Sequence, residues 1–194
     1  MLERKARQVR WAVAVVGGVD AIACVWLLIL ADDRANAGLV RDIGDTAGFA
    51  VVFSGVLWLQ WFGALFEPYA ERGLSRFDGW SRIGWIIPVA SSVVPKMLVN
   101  DVWWQSDRSN PRSPVPSLIQ VWWGLWLSAG LLKLYAGWAD LNPPVSSYLE
   151  ALYVGLLAVC APFAIATVTL LTGRQAWWLA GDGTNANVET LPQS

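Results

Sequence analysis

The chain consists of long apolar runs separated by short polar connections. The first two runs, Trp11 to Ala31 and Ala47 to Phe66, are each about twenty residues long, which at ~1.5 Å per residue spans the ~30 Å hydrocarbon layer of a bilayer. Glu67-Pro68 supplies a charge and a helix breaker after the second run and predicts the end of that helix. Two later runs of similar length, Val115 to Trp138 and Ser147 to Gly173, each follow a pair of prolines, as helix starts often do. The pattern predicts an all-α membrane protein.

A further segment between these runs, Ile83 to Trp104, is apolar but irregular. It contains Pro88 and Pro95, which interrupt a helix, and then the polar residues Lys96, Asn100 and Asp101. The segment is predicted to be Pro-broken. It either crosses the membrane or forms a re-entrant or interfacial segment, and a re-entrant backbone needs cover from protein or water.

Lys and Arg residues near the helix ends predict the orientation, because cytoplasmic loops carry an excess of both. The N-terminal segment is predicted to be cytoplasmic because it carries Arg4, Lys5, Arg7 and Arg10. If the segment from Ile83 to Trp104 crosses the membrane, Arg108, Arg112 and Arg174 lie outside the cytoplasm, which conflicts with this rule. If the segment returns to the side on which it entered, these three residues lie in the cytoplasm. A bundle of five transmembrane helices and a bundle of four with one re-entrant segment are therefore both open alternatives.

Composition excludes several classes of function. Hydrophobic residues make up 55% of the chain and charged residues only 15%, whereas about a quarter of the residues in a soluble domain are charged. A net charge of -1 provides no basic surface for nucleic acid, which is therefore not a predicted partner. The chain has no His, which removes imidazole metal sites and Ser-His-Asp triads, and no metal or cofactor is predicted. Residues 1–180 are predicted to form a single integral-membrane helical domain, followed by a disordered polar tail at 181–194.

One ionisable side chain, Asp20, lies near the centre of the first apolar run. A carboxylate at that depth costs roughly 2.5 to 3.5 kcal/mol on insertion scales, so it is tolerated mainly where it faces other helices, a partner or a wet cavity. We therefore expect Asp20 to face the inside of the bundle. One hypothesis pairs it with Lys96. Others make the segment after Pro95 an interfacial helix, or give Asp101 a catalytic or ligand-binding role.

The chain has 14 Trp residues, and their positions indicate two roles. Indoles near predicted helix ends are expected to anchor in the headgroup belt, and these are Trp11, Trp104, Trp138, Trp177 and Trp178. Indoles within the runs either pack between helices or form the wall of a ligand cavity. The predicted ligand-binding set combines such indoles with two polar side chains: Trp58, Trp61, Trp85, Trp103, Trp122, Trp123, Trp126, Lys96 and Asn100.

The stretch from Gly79 to Trp104, together with Val121 to Leu127, carries a pattern of Trp and Pro at fixed offsets. Its features are Arg82, Gly84-Trp85, Ile87-Pro88, Pro95, Asp101, Trp103 and Trp122-Trp123. The pattern resembles a family of bacterial multi-pass membrane proteins described as a domain of unknown function, over about Leu57 to Leu132. The resemblance implies a membrane scaffold in a bacterial inner membrane and brings no activity with it.

Two functions fit an aromatic wall beside a buried carboxylic acid. The first is binding of a membrane lipid or hydrophobic small molecule in a Trp-lined intramembrane cavity, or an accessory role beside a membrane protein partner. The alternative is a membrane enzyme that acts on a lipid or prenyl (isoprenoid) substrate by acid-initiated carbocation chemistry, as a terpenoid cyclase does. Its acid is expected to be Asp20 or Asp101, because apolar surroundings favour the protonated form of a carboxyl group.

Overall fold

The fold is built from helices. A computed structural model describes residues 1–31, 34–71, 93–106, 113–139 and 143–189, and all regular structure in these ranges is helical, which confirms the all-α prediction. The α-helices of this part are α1 (Leu2–Leu30), α2 (Ala37–Glu71), α3 (Val94–Gln105), α4 (Ser117–Trp138) and α5 (Pro143–Glu189). A 3-10 turn, Arg34–Asn36, directly precedes α2.

α5 is the central helix, and the other four pack against it. α1 lies along it in the antiparallel direction. Near one end Arg10 Nη1 donates to Thr169 Oγ1 at 3.4 Å, and towards the other end Cys24 Sγ donates to the carbonyl oxygen of Ala151, also at 3.4 Å. The first helix therefore crosses the whole length of the bundle.

Polar contacts show which helix ends are adjacent. Lys133, near the end of α4, donates to Glu150, near the start of α5, with Nζ and Oε1 2.7 Å apart. At the opposite end of the bundle, Trp61 Nε1 of α2 donates to Thr172 Oγ1 of α5 at 3.1 Å. α4 therefore runs antiparallel to α5, and α2 runs parallel to it.

The short helix α3 is attached to one end of the bundle by Arg174 of α5. The guanidinium carbon lies 3.6 Å from the centroid of the Trp103 ring, and Nε donates to Ser106 Oγ at 2.8 Å. Arg174 Nη2 also reaches Ser113 Oγ, at 3.5 Å, just before α4 begins. α2 ends beside the same part of α5, where Tyr69 stacks on Trp178. The chain therefore leaves α2 and enters α4 at the same end of the bundle.

Large apolar side chains are exposed on the outside of the helices, for example Ile22 on α1, Phe49 on α2 and Leu152 on α5. Three helices in the described part are long and apolar enough to cross a membrane: Leu2–Leu30, Gly38–Tyr69 and Val145–Ala180. Apolar side chains exposed along such helices are consistent with a membrane protein.

The helix boundaries differ from the predicted ones in two places. α2 continues through Pro68 to Glu71, so the prediction that Glu67-Pro68 ends this helix is wrong. Pro68 lies in the last turn, where it removes a single backbone hydrogen bond, and the stacking of Tyr69 holds the turn against α5. α5 extends to Glu189, into the segment predicted as a disordered tail. Of the segment predicted over 83–104, residues 83–92 lie outside the described ranges.

Candidate functional site

A cavity of about 400 Å³ lies between α1, α2, α4 and α5. Its wall is almost entirely apolar, and small residues of α1, α2 and α5 contribute to it, among them Gly17, Gly55, Ala161 and Ala164. The exposed side chains of Val52 and Val56 form part of its rim, so the cavity opens on the outer surface of the bundle. Its volume is in the range of pockets that bind small molecules.

Asp20 is the one ionisable side chain in the lining apart from the thiol of Cys160. It is only 1% exposed, and its Oδ1 has no hydrogen-bond partner within the described residues. The hypothesis of an Asp20–Lys96 charge pair does not hold, because Lys96 Nζ donates to Asn100 Oδ1 at 2.7 Å. The carboxyl group of Asp20 therefore lines the cavity with no cation of the described residues paired to it.

Indoles form one wall of the cavity. Trp58 of α2 and Trp122 of α4 stack with ring centroids 5.0 Å apart and planes 27° apart, and Trp126 completes the wall one turn further along α4. Trp61 and Trp123 are buried behind this wall. Trp61 packs edge-on against Trp58 at 5.0 Å, and Trp123 stacks on Trp126 at 5.1 Å. The five indoles thus form one aromatic cluster, of which three members border the cavity.

The Ser54 hydroxyl and the Cys160 thiol of the lining are hydrogen-bonded within the bundle. Ser54 Oγ donates to the carbonyl oxygen of Val51 at 2.9 Å, within α2. Cys160 Sγ donates to the carbonyl oxygen of Trp122 at 3.6 Å, which ties α5 to α4 beside the aromatic wall. Asp20 is therefore the acidic group of this lining, and its Oδ1 is open to a hydrogen bond or an ion pair with a bound molecule.

The remaining predicted site residues lie elsewhere. Lys96, Asn100, Asp101 and Trp103 belong to α3, which is outside the lining of the cavity. Asp101 is buried. Lys96 is partly buried as well, and this lowers its pKa because desolvation disfavours the charged form of the amine. The alternative of an interfacial helix stays a prediction, but the apolar face of α3 packs against protein, since its Leu98, Val99 and Val102 are buried in the main hydrophobic core. Trp85 lies outside the described residues.

The expectation that terminal indoles anchor at an interface fits some of these residues only. Trp11, Trp138 and Trp177 are well exposed near the ends of the apolar runs. Trp178, in contrast, is 3% exposed and stacks on Tyr69 at 4.7 Å, so it joins α5 to α2. Trp104 is half-buried, and its Nε1 donates to the carbonyl oxygen of Ser113 at 3.1 Å.

Sequence reasoning missed an ionic cluster at the other end of the bundle. Lys133 Nζ lies 2.7 Å from Glu150 Oε1 and 3.6 Å from Asp45 Oδ1, beside a second cavity of about 610 Å³. The same ammonium group lies 5.3 Å from the centroid of the Tyr153 ring. Lys133 is a lone charge within an apolar run, as Asp20 is, and this signal could have found it.

No three Cys, Asp or Glu side chains form a metal-binding group in the part of the chain that the structure describes.

Comparison with known proteins gives one match. Neither the curated proteins nor the solved structures contain a significant match to the chain. Residues 30–176 match a family, and this range includes most of the cavity lining and all of α2, α3 and α4. The match agrees with the resemblance to an unknown-function family that the Trp and Pro pattern indicated. The chain belongs to the family described as a domain of unknown function (DUF4328).

Proposed function

We propose that this protein is a polytopic membrane protein that binds a lipid or another hydrophobic small molecule in the cavity between α1, α2, α4 and α5. The observation that carries the proposal is the combination of an apolar space of about 400 Å³ with a single buried carboxyl group, Asp20, on its wall. Such pockets typically combine apolar walls with few polar groups that orient the ligand. The exposed rim at Val52 and Val56 supports entry from the acyl-chain region.

The proposed topology has four membrane spans, α1, α2, α4 and α5, in a bacterial inner membrane, with α3 at the cytoplasmic interface. α4 has 22 residues, which at ~1.5 Å per residue is about 33 Å, and it packs antiparallel along α5. α3 has 12 residues, or about 18 Å, too short to cross. The return of the chain to the same end of the bundle between α2 and α4 supports this topology. With the N-terminal Arg and Lys residues in the cytoplasm, Arg174 is cytoplasmic as well.

The proposal is tested by photolabelling of the full chain in phosphatidylcholine nanodiscs with a hexadecyl alcohol that carries a diazirine. We expect saturable adducts on peptides that contain Val51, Gly55 or Ala161, and non-saturable background on outward-facing residues such as Val15 and Val19. Saturation separates a defined site from the bulk lipid. Labelling of the outer faces alone contradicts the proposal.

A pair of glycines provides matched variants. Gly55 lines the cavity, and a Cβ built there meets no heavy atom within 4 Å, so Gly55→Leu fills the cavity without a clash at Cβ. A Cβ on Gly18 meets nothing within 4 Å either, but Gly18 is exposed and outside the lining. The Gly55→Leu variant is expected to lose the saturable adducts, and Gly18→Leu is expected to keep them.

A second candidate function is acid-initiated chemistry on a prenyl chain. It is favoured by one arrangement, the carboxyl group of Asp20 in the same cavity as the stacked rings of Trp58 and Trp122, which would stabilise a carbocation. Asp101 does not line this cavity, so the acid in this candidate is Asp20 alone. The test is incubation of the protein with a linear prenyl alcohol. A cyclised product that Asp20→Asn abolishes supports catalysis, and unchanged alcohol argues for binding only.

A further inference from the structure

We infer that the ligand of this cavity is a monocationic amphiphile, with an ammonium group against Asp20 and an apolar chain along the rest of the wall. The inference rests on the proposed function and specifies the chemical class of its ligand. It combines the lack of a partner for Asp20 with the aromatic faces beside it.

The first argument is the state of the carboxyl group. Asp20 is 99% buried, at the middle of an apolar helix, and takes part in no ion pair within the described residues. An isolated carboxylate in an apolar medium carries a large desolvation penalty, so the charged form of Asp20 is stable at this place only with a cation beside it. A cation that arrives with the ligand supplies the missing partner.

The second argument is that the bundle has no cation to offer at this place. Among the described residues, no Lys or Arg lines the cavity. Cations elsewhere in the described bundle already have partners: Lys133 contacts Glu150 and Asp45, Lys96 contacts Asn100, and Arg174 contacts Trp103. Within the described residues, then, nothing supplies the positive charge that would complete the site, and a cationic ligand would.

The third argument is the aromatic wall. Trp58, Trp122 and Trp126 border the same cavity as Asp20, and the ring faces of tryptophan attract ammonium groups more strongly than those of the other aromatic residues. A carboxylate with several indoles is the combination that recognises alkylammonium ions, whereas an anionic headgroup is repelled by it. A neutral alcohol can donate a hydrogen bond to the Asp20 carboxylate, but it makes no cation–π interaction with the indole rings.

The size of the cavity and its opening indicate the rest of the ligand. A space of about 400 Å³ holds a headgroup and part of a chain, and the rim at Val52 and Val56 allows the remainder to extend outside. The ligand is therefore expected to enter from the side, past Val52 and Val56 of α2, with its charge leading.

Three probes with the same C12 chain test the inference: dodecyltrimethylammonium, dodecanol and dodecanoate. Each competes with the diazirine probe for the full chain in phosphatidylcholine nanodiscs, and the measurement is the mole fraction that halves the saturable labelling. Dodecyltrimethylammonium is used because its charge is independent of pH. We expect it to compete at about a tenfold lower mole fraction than dodecanol, and dodecanoate to be the weakest.

The variants identify the group responsible. Asp20→Asn keeps the shape but removes the charge, and is expected to make dodecyltrimethylammonium and dodecanol equal. Asp20→Glu is expected to keep the preference. Asp42→Asn, which removes an exposed carboxylate from α2, is the control and is expected to change nothing. Thermal unfolding of each variant verifies that it folds.

Failure of the inference differs from failure of the proposed function. Equal competition by the three probes in the unmodified protein overturns the inference of a cationic ligand and leaves a hydrophobic binding site. A preference for the cation that persists in Asp20→Asn also overturns it. Absence of saturable labelling by the diazirine probe removes the binding site itself and both proposals with it.

Discussion

Lys133 on α4 and Glu150 on α5 form an ion pair with Nζ and Oε1 2.7 Å apart, and Asp45 on α2 joins it at 3.6 Å. Three helices thus meet at one ammonium group. Glu150 is the more buried partner, with its side chain 16% exposed against 37% for Lys133, so the Glu150 carboxylate depends most on this pairing. Removal of one partner from such a pair is more harmful than removal of both, since it leaves an uncompensated charge.

The first prediction concerns this cluster. Lys133→Met leaves two carboxylates near each other without a cation, and is expected to lower the Tm by roughly 4 °C or more. The double variant Lys133→Met/Glu150→Gln is expected to recover part of the loss, because one of the stranded charges is gone. Thermal unfolding in detergent measures both. A double variant that is less stable than the single one contradicts this account of the cluster.

The second prediction concerns the crossing of α1 and α5. A Cβ built on Gly17 overlaps the Cβ of Ala161, so the two backbones approach as closely as small residues allow. Gly17→Leu is expected to destabilise the protein by about 1–3 kcal/mol or more through overpacking. Gly18→Leu, one position along, has open space and is the control. Equal unfolding temperatures of the two variants would show that the helices do not cross at Gly17.

The third prediction concerns the attachment of α3. Arg174 stacks over Trp103 and donates to Ser106, and Arg174→Ala removes both interactions. Amide hydrogen exchange in Val94–Gln105 is expected to become roughly tenfold faster or more, with no change in α1. Arg174→Lys keeps the charge but not the planar group, and an intermediate rate is expected. Unchanged exchange in α3 for the alanine variant means that other contacts hold this helix.

The fourth prediction concerns the aromatic wall. Trp58 and Trp122 stack at 5.0 Å, so their replacements by Phe are expected to be coupled, by about 0.5–1.5 kcal/mol in a double-mutant cycle of unfolding. A cycle of Trp58→Phe with Trp138→Phe is the control, because Trp138 is 86% exposed near the end of α4. Coupling free energies of similar size in the two cycles would contradict the stacking of Trp58 on Trp122.

Much of the fold follows from the sequence because run length and polarity are local properties. The run Val115 to Trp138 matches α4 closely, and the cost of a charge within lipid was sufficient to predict that Asp20 faces inward. The helical period also places Trp122 and Trp126 on one face of α4, where both border the cavity.

The rest depends on which helices become neighbours, and no local pattern contains that information. The stacking of Trp178 on Tyr69 brings together residues more than a hundred positions apart, so Trp178 resembled an interface anchor from its place near a helix end. The continuation of α2 past Pro68 depends on the same contact. Lys96 looked like a partner for Asp20, but α3 is attached by Arg174 and does not border the cavity that contains Asp20.

The most direct measurement of the central claim is native mass spectrometry of the full chain released from micelles that contain dodecyltrimethylammonium. The account predicts one retained molecule per chain for the unmodified protein and for Gly18→Leu, and none for Gly55→Leu, in which the cavity is filled. Equal retention by the Gly55→Leu variant and the unmodified protein would contradict the claim that this cavity is the binding site.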